Sequence, residues 1–245
     1  MRLPAISPGV VFISEVILRG IFRPILLSAL LVLALGLTAW AETAKPRVLV
    51  MGDSLMAWNG TRGAAVSDAL GKMLGVTVKD HAVAGARYFY VLPLTGAAGL
   101  RIRAQFRGGP WDYVVMNGGG NDLLLGCGCG ACKRMMNRLI RTDGRAGAIP
   151  DLVNDIRASG AKVIYTGYLR TPGVTSPVEV CGPLGDEMDA RLARMAAATD
   201  GVIFMPLSGL VTKDGDTSYH AMDLVHPSVK GSRAIAARIA AYIRD

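Results

Sequence analysis

The sequence predicts an α/β protein with five short strands in one parallel sheet and helices on both of its faces. Three observations carry this. Five short runs are apolar and rich in Val, Ile or Tyr, helix-patterned stretches lie between them, and the 245 residues are 51% hydrophobic but only 6% aromatic. Strands buried on both faces read as continuous apolar runs, and strands alternating with helices imply a covered parallel sheet. The length suits one core and is awkward for two.

The first strand is Arg47 to Met51, ending in Gly52-Asp53, and Val76 to Asp80, Tyr113 to Met116, Lys162 to Gly167 and Val202 to Met205 are the other four. Between them, Ala64 to Leu74 places Ala65, Ala69 and Met73 on one helical face, and Ala146 to Ser159 stops before Gly160. Glu187 to Thr199 and Ser228 to Ile243 are Ala-rich, with apolar spacing near the helical period. No internal repeat or long linker interrupts the pattern.

Residues 1–41 read as a signal peptide. Arg19 and Arg23 precede the apolar run Ile25 to Leu37, and Ala39-Trp40-Ala41 supplies the small-x-small cleavage form. A retained membrane anchor is the alternative, but the run is short for a spanning helix, which needs about 20 residues, and this favours cleavage. Cleavage leaves a mature domain of residues 42–245 in the periplasm or outside the cell. Membrane contact is then expected only through this segment before cleavage.

The net charge of +8 does not mark a nucleic-acid binder. Lys and Arg are scattered, with no dense basic run and no basic–aromatic ladder, so a solvated basic surface is the reading.

In parallel sheets, ligands bind beyond the carboxyl ends of the strands. Three loops there carry candidate chemistry. After the first strand, Gly52 allows a tight turn that lets Ser54 project its hydroxyl; alone, the triplet reads as an ordinary turn or helix cap. After the third, Gly118-Gly119-Gly120-Asn121-Asp122 lets backbone approach a substrate, and the Asn121 amide is a donor suited to an oxyanion. No Gly-Lys-Ser/Thr follows, which speaks against a phosphate loop. Near the C-terminus, Pro227 holds His226 extended, and Asp223 can fold back to the imidazole. His81 and His220 lack such a setting and read as surface histidines.

Taken in this order, Gly-Asp-Ser-Leu, a Gly after the second strand (Gly85), Gly-x-Asn-Asp and Asp-x-x-His resemble the four blocks of the SGNH (GDSL) hydrolases, over about residues 47–230. The resemblance implies a three-layer α/β/α, flavodoxin-like fold and a serine esterase. Ser54 would be the nucleophile, His226 the base and then acid, and Asp223 its orienting partner. The oxyanion would be held by the N–H groups of Ser54 and Gly85 and by the Asn121 side chain, with no metal or organic cofactor. The implied substrate is a small-molecule or glycan ester: a lipid, an aryl ester or an acetylated sugar. An O-acyltransferase acting on envelope polysaccharide would use the same triad. A non-catalytic binding protein on the same scaffold would be expected to have lost a triad member, and none is lost.

Two features depart from the family pattern. Met56-Ala57-Trp58 follows the first block, where small residues are more usual, and suggests a bulkier or more apolar pocket entrance. Trp58, Tyr88, Phe89 and Tyr90 could line an acyl or sugar pocket, or simply pack loop bases. The second departure is Cys127, Cys129 and Cys132, just past Asn121, with Cys181 after the fourth strand. Export favours disulfides. A Cys127–Cys129 bridge would close a strained ring, so Cys181 pairs with Cys127 or Cys129 and Cys132 with the other. A four-thiolate zinc site is the rival, with poor spacing because Cys181 stands alone.

Overall fold

The structure, a computed structural model, describes residues 45–90 and 93–245. The N-terminal segment and its expected cleavage site lie outside them. The strands are β1 (Val48–Met51), β2 (Val78–Asp80), β3 (Tyr113–Met116), β4 (Lys162–Thr166) and β5 (Val202–Met205), all parallel, in the order β2-β1-β3-β4-β5. The helices are α1 (Ser54–Ala57), α2 (Val66–Leu74), α3 (Pro93–Ala97), α4 (Ile102–Gln105), α5 (Gly120–Cys127), α6 (Lys133–Leu139), α7 (Ala148–Ala158), α8 (Gly182–Ala197) and α9 (Val229–Arg244).

Alternation along the strands builds two cores. Leu49, Met51, Val114, Met116, Val163 and Tyr165 face one side, against Ile149, Leu152 and Ile156 of α7 and Leu192 of α8. Val48, Val50, Val115 and Ile164 face the other, against Val66 and Leu70 of α2 and Ile235 and Ile239 of α9. Every residue of β1 is fully buried, which is why that strand is apolar without a break. The result is the three-layer α/β/α arrangement.

The strand order decides where a site can form. The chain leaves β1 toward β2 on one side, then crosses back to place β3 on the other. The crevice at this reversal, beyond the carboxyl ends of β1 and β3, is where open α/β sheets bind ligands. The Ser54 and Asn121 loops leave those two strands.

Some boundaries differ from the sequence expectations. Helix α5 begins inside the glycine run, at Gly120, after Gly119 with φ 99°. The left-handed residue lets the chain turn from strand to helix within a stretch that reads as loop. Helix α8 starts at Gly182, with Pro183 in its first turn, and not at Glu187; proline fits the first turn because its missing N–H has no helical partner there. Among the described residues, no helix is long and apolar enough to cross a membrane.

Candidate active site

Ser54 opens α1 directly after a turn that is heavily fixed. Gly52 sits at φ 135°, and a Cβ there would lie 2.0 Å from Asn117 Oδ1. Only glycine fits. Gln105 clamps it from both sides, accepting the Gly52 N–H at 2.6 Å and donating Nε2 to its carbonyl at 2.9 Å. Asp53 is buried and caps α1, with Oδ1 accepting the Leu55 N–H at 3.0 Å and Asn117 Nδ2 at 2.7 Å. Its other oxygen accepts the Tyr168 hydroxyl, and that hydroxyl in turn accepts the Gly120 N–H at 2.9 Å. Burial pushes the Asp53 carboxyl up from its ordinary range, and these hydrogen bonds hold it back.

On the β3 side, the buried Asp122 carboxylate accepts the N–H groups of Tyr88 and Phe89 at 2.9 and 3.0 Å. This ties the start of α5 to the loop after β2. Asn121, the preceding residue, donates one amide hydrogen to the Ala86 carbonyl at 3.1 Å. Gly85 lies in that same loop at φ 80°, its carbonyl accepting the Tyr90 hydroxyl at 2.7 Å.

The C-terminal loop folds tightly on itself. Asp223 Oδ1 accepts the N–H groups of Val225 and His226, each at 3.0 Å, while Oδ2 lies 2.6 Å from His226 Nδ1. Burial alone would raise the Asp223 carboxyl; hydrogen bonds from the His226 ring, from its N–H and from Val225 outweigh it and hold the group below its ordinary range. The imidazole stacks on the indole of Trp58, with ring centroids 3.7 Å apart and planes 6° from parallel.

Ser54, Asn121 and His226 line one cleft of about 440 Å³. Asp223 stands behind His226 and Gly85 stands outside the lining. Among the described residues, Ser54 and His226 share the cleft without a hydrogen bond between them; such bonds often tighten only when substrate binds. Leu123, Leu124, Leu184 and Val178 form an aliphatic wall.

The four cysteines make two disulfides, Cys127–Cys132 and Cys129–Cys181, one of the two pairings left open by the sequence. With every thiol bonded, the zinc alternative has no ligands. Cys129 and Cys181 line the cleft.

None of the four aromatics expected as pocket lining is in the cleft wall. Tyr88 is a core residue with its hydroxyl 3.2 Å from that of Tyr165, Phe89 packs under Arg138, the Tyr90 hydroxyl bonds Gly85, and Trp58 stacks behind on His226. Met56 points into the core. His220 is not a surface residue: it is buried, and burial lowers its imidazole below the ordinary value. His81 is half-buried, with Nδ1 2.7 Å from the Gln105 carbonyl. Sequence reasoning missed Asn117, Gln105 and Tyr168, which hold the turn before Ser54 and sit 53 to 115 residues from the turn residues they touch.

Residues 50–234 match the model of the GDSL-like Lipase/Acylhydrolase family. The chain belongs to that family. As a GDSL hydrolase it is an ester-hydrolysing enzyme. No curated protein matches the sequence. Among solved structures, it is similar to a protein assigned to the SGNH hydrolases from Slackia heliotrinireducens, at 23% identity and TM-score 0.58, covering 81% of this chain and 98% of that one. A GDSL-like lipase from Bacteroides thetaiotaomicron is 19% identical with TM-score 0.55, over 85% and 93% of the two chains. A family two carbohydrate esterase from Clostridium thermocellum is 17% identical with TM-score 0.52, over 82% and 64%. At these identities the likeness is one of fold.

Proposed function

We propose that this GDSL hydrolase cleaves a carboxylic ester through an acyl-enzyme on Ser54. The observation that carries the reading is that Ser54, Asn121 and His226 line one cleft beyond the carboxyl ends of β1 and β3, with Asp223 Oδ2 2.6 Å from His226 Nδ1. A hydroxyl is a weak nucleophile until a base takes its proton. Asp223 accepts from Nδ1, which leaves Nε2 free to be that base. Ser54 Oγ adds to the ester carbonyl as its proton passes to Nε2. The resulting oxyanion is held by the N–H of Ser54 and the Asn121 amide hydrogen not given to Ala86, both in the cleft lining, with the N–H of Gly85, on the loop that Asn121 binds at Ala86, as the third donor the family resemblance implies. The carbon–alcohol bond then breaks, and His226 returns the proton to the leaving alcohol. Water, deprotonated by the same imidazole, releases the acid and restores Ser54.

The aliphatic wall favours an acyl chain longer than acetyl, since each buried CH₂ contributes about 0.8 kcal/mol. A fluorophosphonate probe should label the wild type and leave Ser54→Ala unlabelled, and p-nitrophenyl esters of increasing chain length should be turned over by the former alone. Equal labelling of both proteins would refute the assignment.

Two disulfides together with the N-terminal apolar run support export into an oxidising compartment. Sequencing of the exported form should begin at Glu42; residues preceding Ala39 would show a retained anchor.

A further inference from the structure

Helix α1 carries more than Ser54. Trp58 is its C-cap, four residues on, and donates its N–H to the Ser54 carbonyl at 2.9 Å. Residues four apart share one helical face. The same single turn therefore presents the hydroxyl at one end and the indole at the other, on a rigid frame. His226 arrives on a loop 168 residues later and lays its ring flat on that indole.

The next residue adds a second attachment. Asn59 takes φ 66°, a left-handed conformation that asparagine tolerates, and Nδ2 then reaches the Pro227 carbonyl at 3.0 Å and Ser232 Oγ at 3.2 Å. Trp58 grips the His226 ring and Asn59 grips the backbone one residue beyond it.

We propose that Trp58 and Asn59 are positioning residues that dock the His226 loop onto the Ser54 helix and fix the plane of the imidazole. This rests on the catalytic reading of Ser54 and His226. The hydrogen bond to Asp223 anchors Nδ1 but leaves the ring free to swing about that contact; a parallel indole face removes the swing, so Nε2 stays aimed into the cleft. Asp223 on its own loop and Asp53 beside Ser54 are the charged groups that act on the same ring, and Arg170, Glu179, Asp186 and Lys213 line the cleft it borders; His220, on the segment paired with Pro227, is the neighbouring titratable group. Trp58 acts through contact and not through charge.

The test has two independent readouts in the full chain. Misplacing a reacting group by about 1 Å costs up to roughly 10²-fold in rate. So Trp58→Ala should lower kcat by roughly 10- to 100-fold with KM within about twofold. Trp58→Phe, which keeps an aromatic face, should recover most of the loss. Asn59→Gly keeps the left-handed backbone and should lower kcat in the same sense. A change in KM alone would make Trp58 a substrate wall and overturn the proposal, as would full activity in both Trp58→Ala and Asn59→Gly.

The second readout needs no turnover. An indole ring current moves the NMR resonances of a ring stacked flat on it, so at one fixed pH the His226 ring protons should lie upfield of those of the other histidines. That displacement should vanish in Trp58→Ala and the resonances themselves in His226→Gln. Wild-type His226 resonances with no displacement, or a displacement retained in Trp58→Ala, would overturn the stack whatever Ser54→Ala does. An active Ser54→Ala would instead overturn the catalytic reading.

Discussion

The Tyr168 hydroxyl donates to the buried carboxylate of Asp53 while accepting the Gly120 N–H at 2.9 Å, so one phenol joins the loops after β1, β3 and β4. It stands between the residue before Ser54 and the residue before Asn121. The carboxyl of Asp53 is pushed up by burial and held back by this bond first among its partners, then by Asn117 and the Leu55 N–H. A carboxyl raised in the folded state loses stability as pH climbs from the unfolded value through the folded one. Removing the phenolic donor raises it further. Tyr168→Phe should therefore destabilise at pH 7 by about 1.5–3 kcal/mol, the range for a hydrogen bond to a charged group. The deficit should shrink toward pH 4, where Asp53 is increasingly protonated in both proteins. Thermal melts of the pair across this range check it; a gap constant with pH would exclude Asp53 as the cause.

Asn121 should act in the transition state. Its amide already spends one hydrogen on the Ala86 carbonyl, so its orientation is set before substrate arrives. A lost oxyanion donor costs about 2.7–4 kcal/mol, or roughly 10²–10³ in rate. Steady-state kinetics of Asn121→Ala should show that fall in kcat with KM little changed. A rise in KM alone would place Asn121 in ground-state binding.

On the proposed mechanism Asp223 does two jobs, and one substitution separates them. Asp223→Asn can still accept the Val225 and His226 N–H groups through Oδ1, but its amide would face Nδ1 with a donor and select the wrong tautomer. The cost should be about 10⁴ in kcat at neutral pH. Because the carboxyl is held below its ordinary range, the stability it contributes is present above the unfolded carboxylate value and is lost only as pH falls through the lowered one. The wild-type loop should thus stay intact through mildly acid pH, with activity lost there recovered on returning to neutral. Urea titrations at pH 4 and pH 7 check the stability and a pH-jump assay checks the recovery; irreversible loss at pH 5 would contradict it.

The sheet was legible because burial on both faces leaves an unbroken apolar signature, and all five strands fall within two residues of their expected places. The family blocks were legible because each sits within six residues of sequence. The supporting network was not. Gln105 meets Gly52 from 53 residues away and Tyr168 meets Asp53 from 115, and nothing local distinguishes either from a residue of the core. His220 was misread for the same reason, since its burial depends on the loops it packs beneath. The onset of α5 within three glycines was hidden because intrinsic propensity opposes it; the Tyr168 hydroxyl and the Asp122 contacts supply what propensity lacks.

The two disulfides should differ in weight, and the longer one should also shape specificity. Cys129–Cys181 closes 52 residues and Cys127–Cys132 closes 5. Restricting the unfolded chain by these loops is worth about 4 and about 2 kcal/mol respectively on the chain-entropy relation. Cys129→Ala/Cys181→Ala should therefore lose more than Cys127→Ala/Cys132→Ala in equilibrium urea unfolding. The former bridge also lines the cleft and ties the segment after α5 to the start of α8, on which Leu184 stands. Without it, Leu124 and Leu184 are no longer held at a fixed separation, and the aliphatic wall should lose its selectivity. The ratio of kcat/KM for hexanoate over acetate esters should fall in the Cys129/Cys181 variant and change less in the Cys127/Cys132 variant. The alanine pairs keep the comparison free of new buried hydroxyls. Equal stability losses would argue that strain or unfolded-state structure governs the bridges, and an unchanged ester ratio would remove the Cys129–Cys181 bridge from substrate selection.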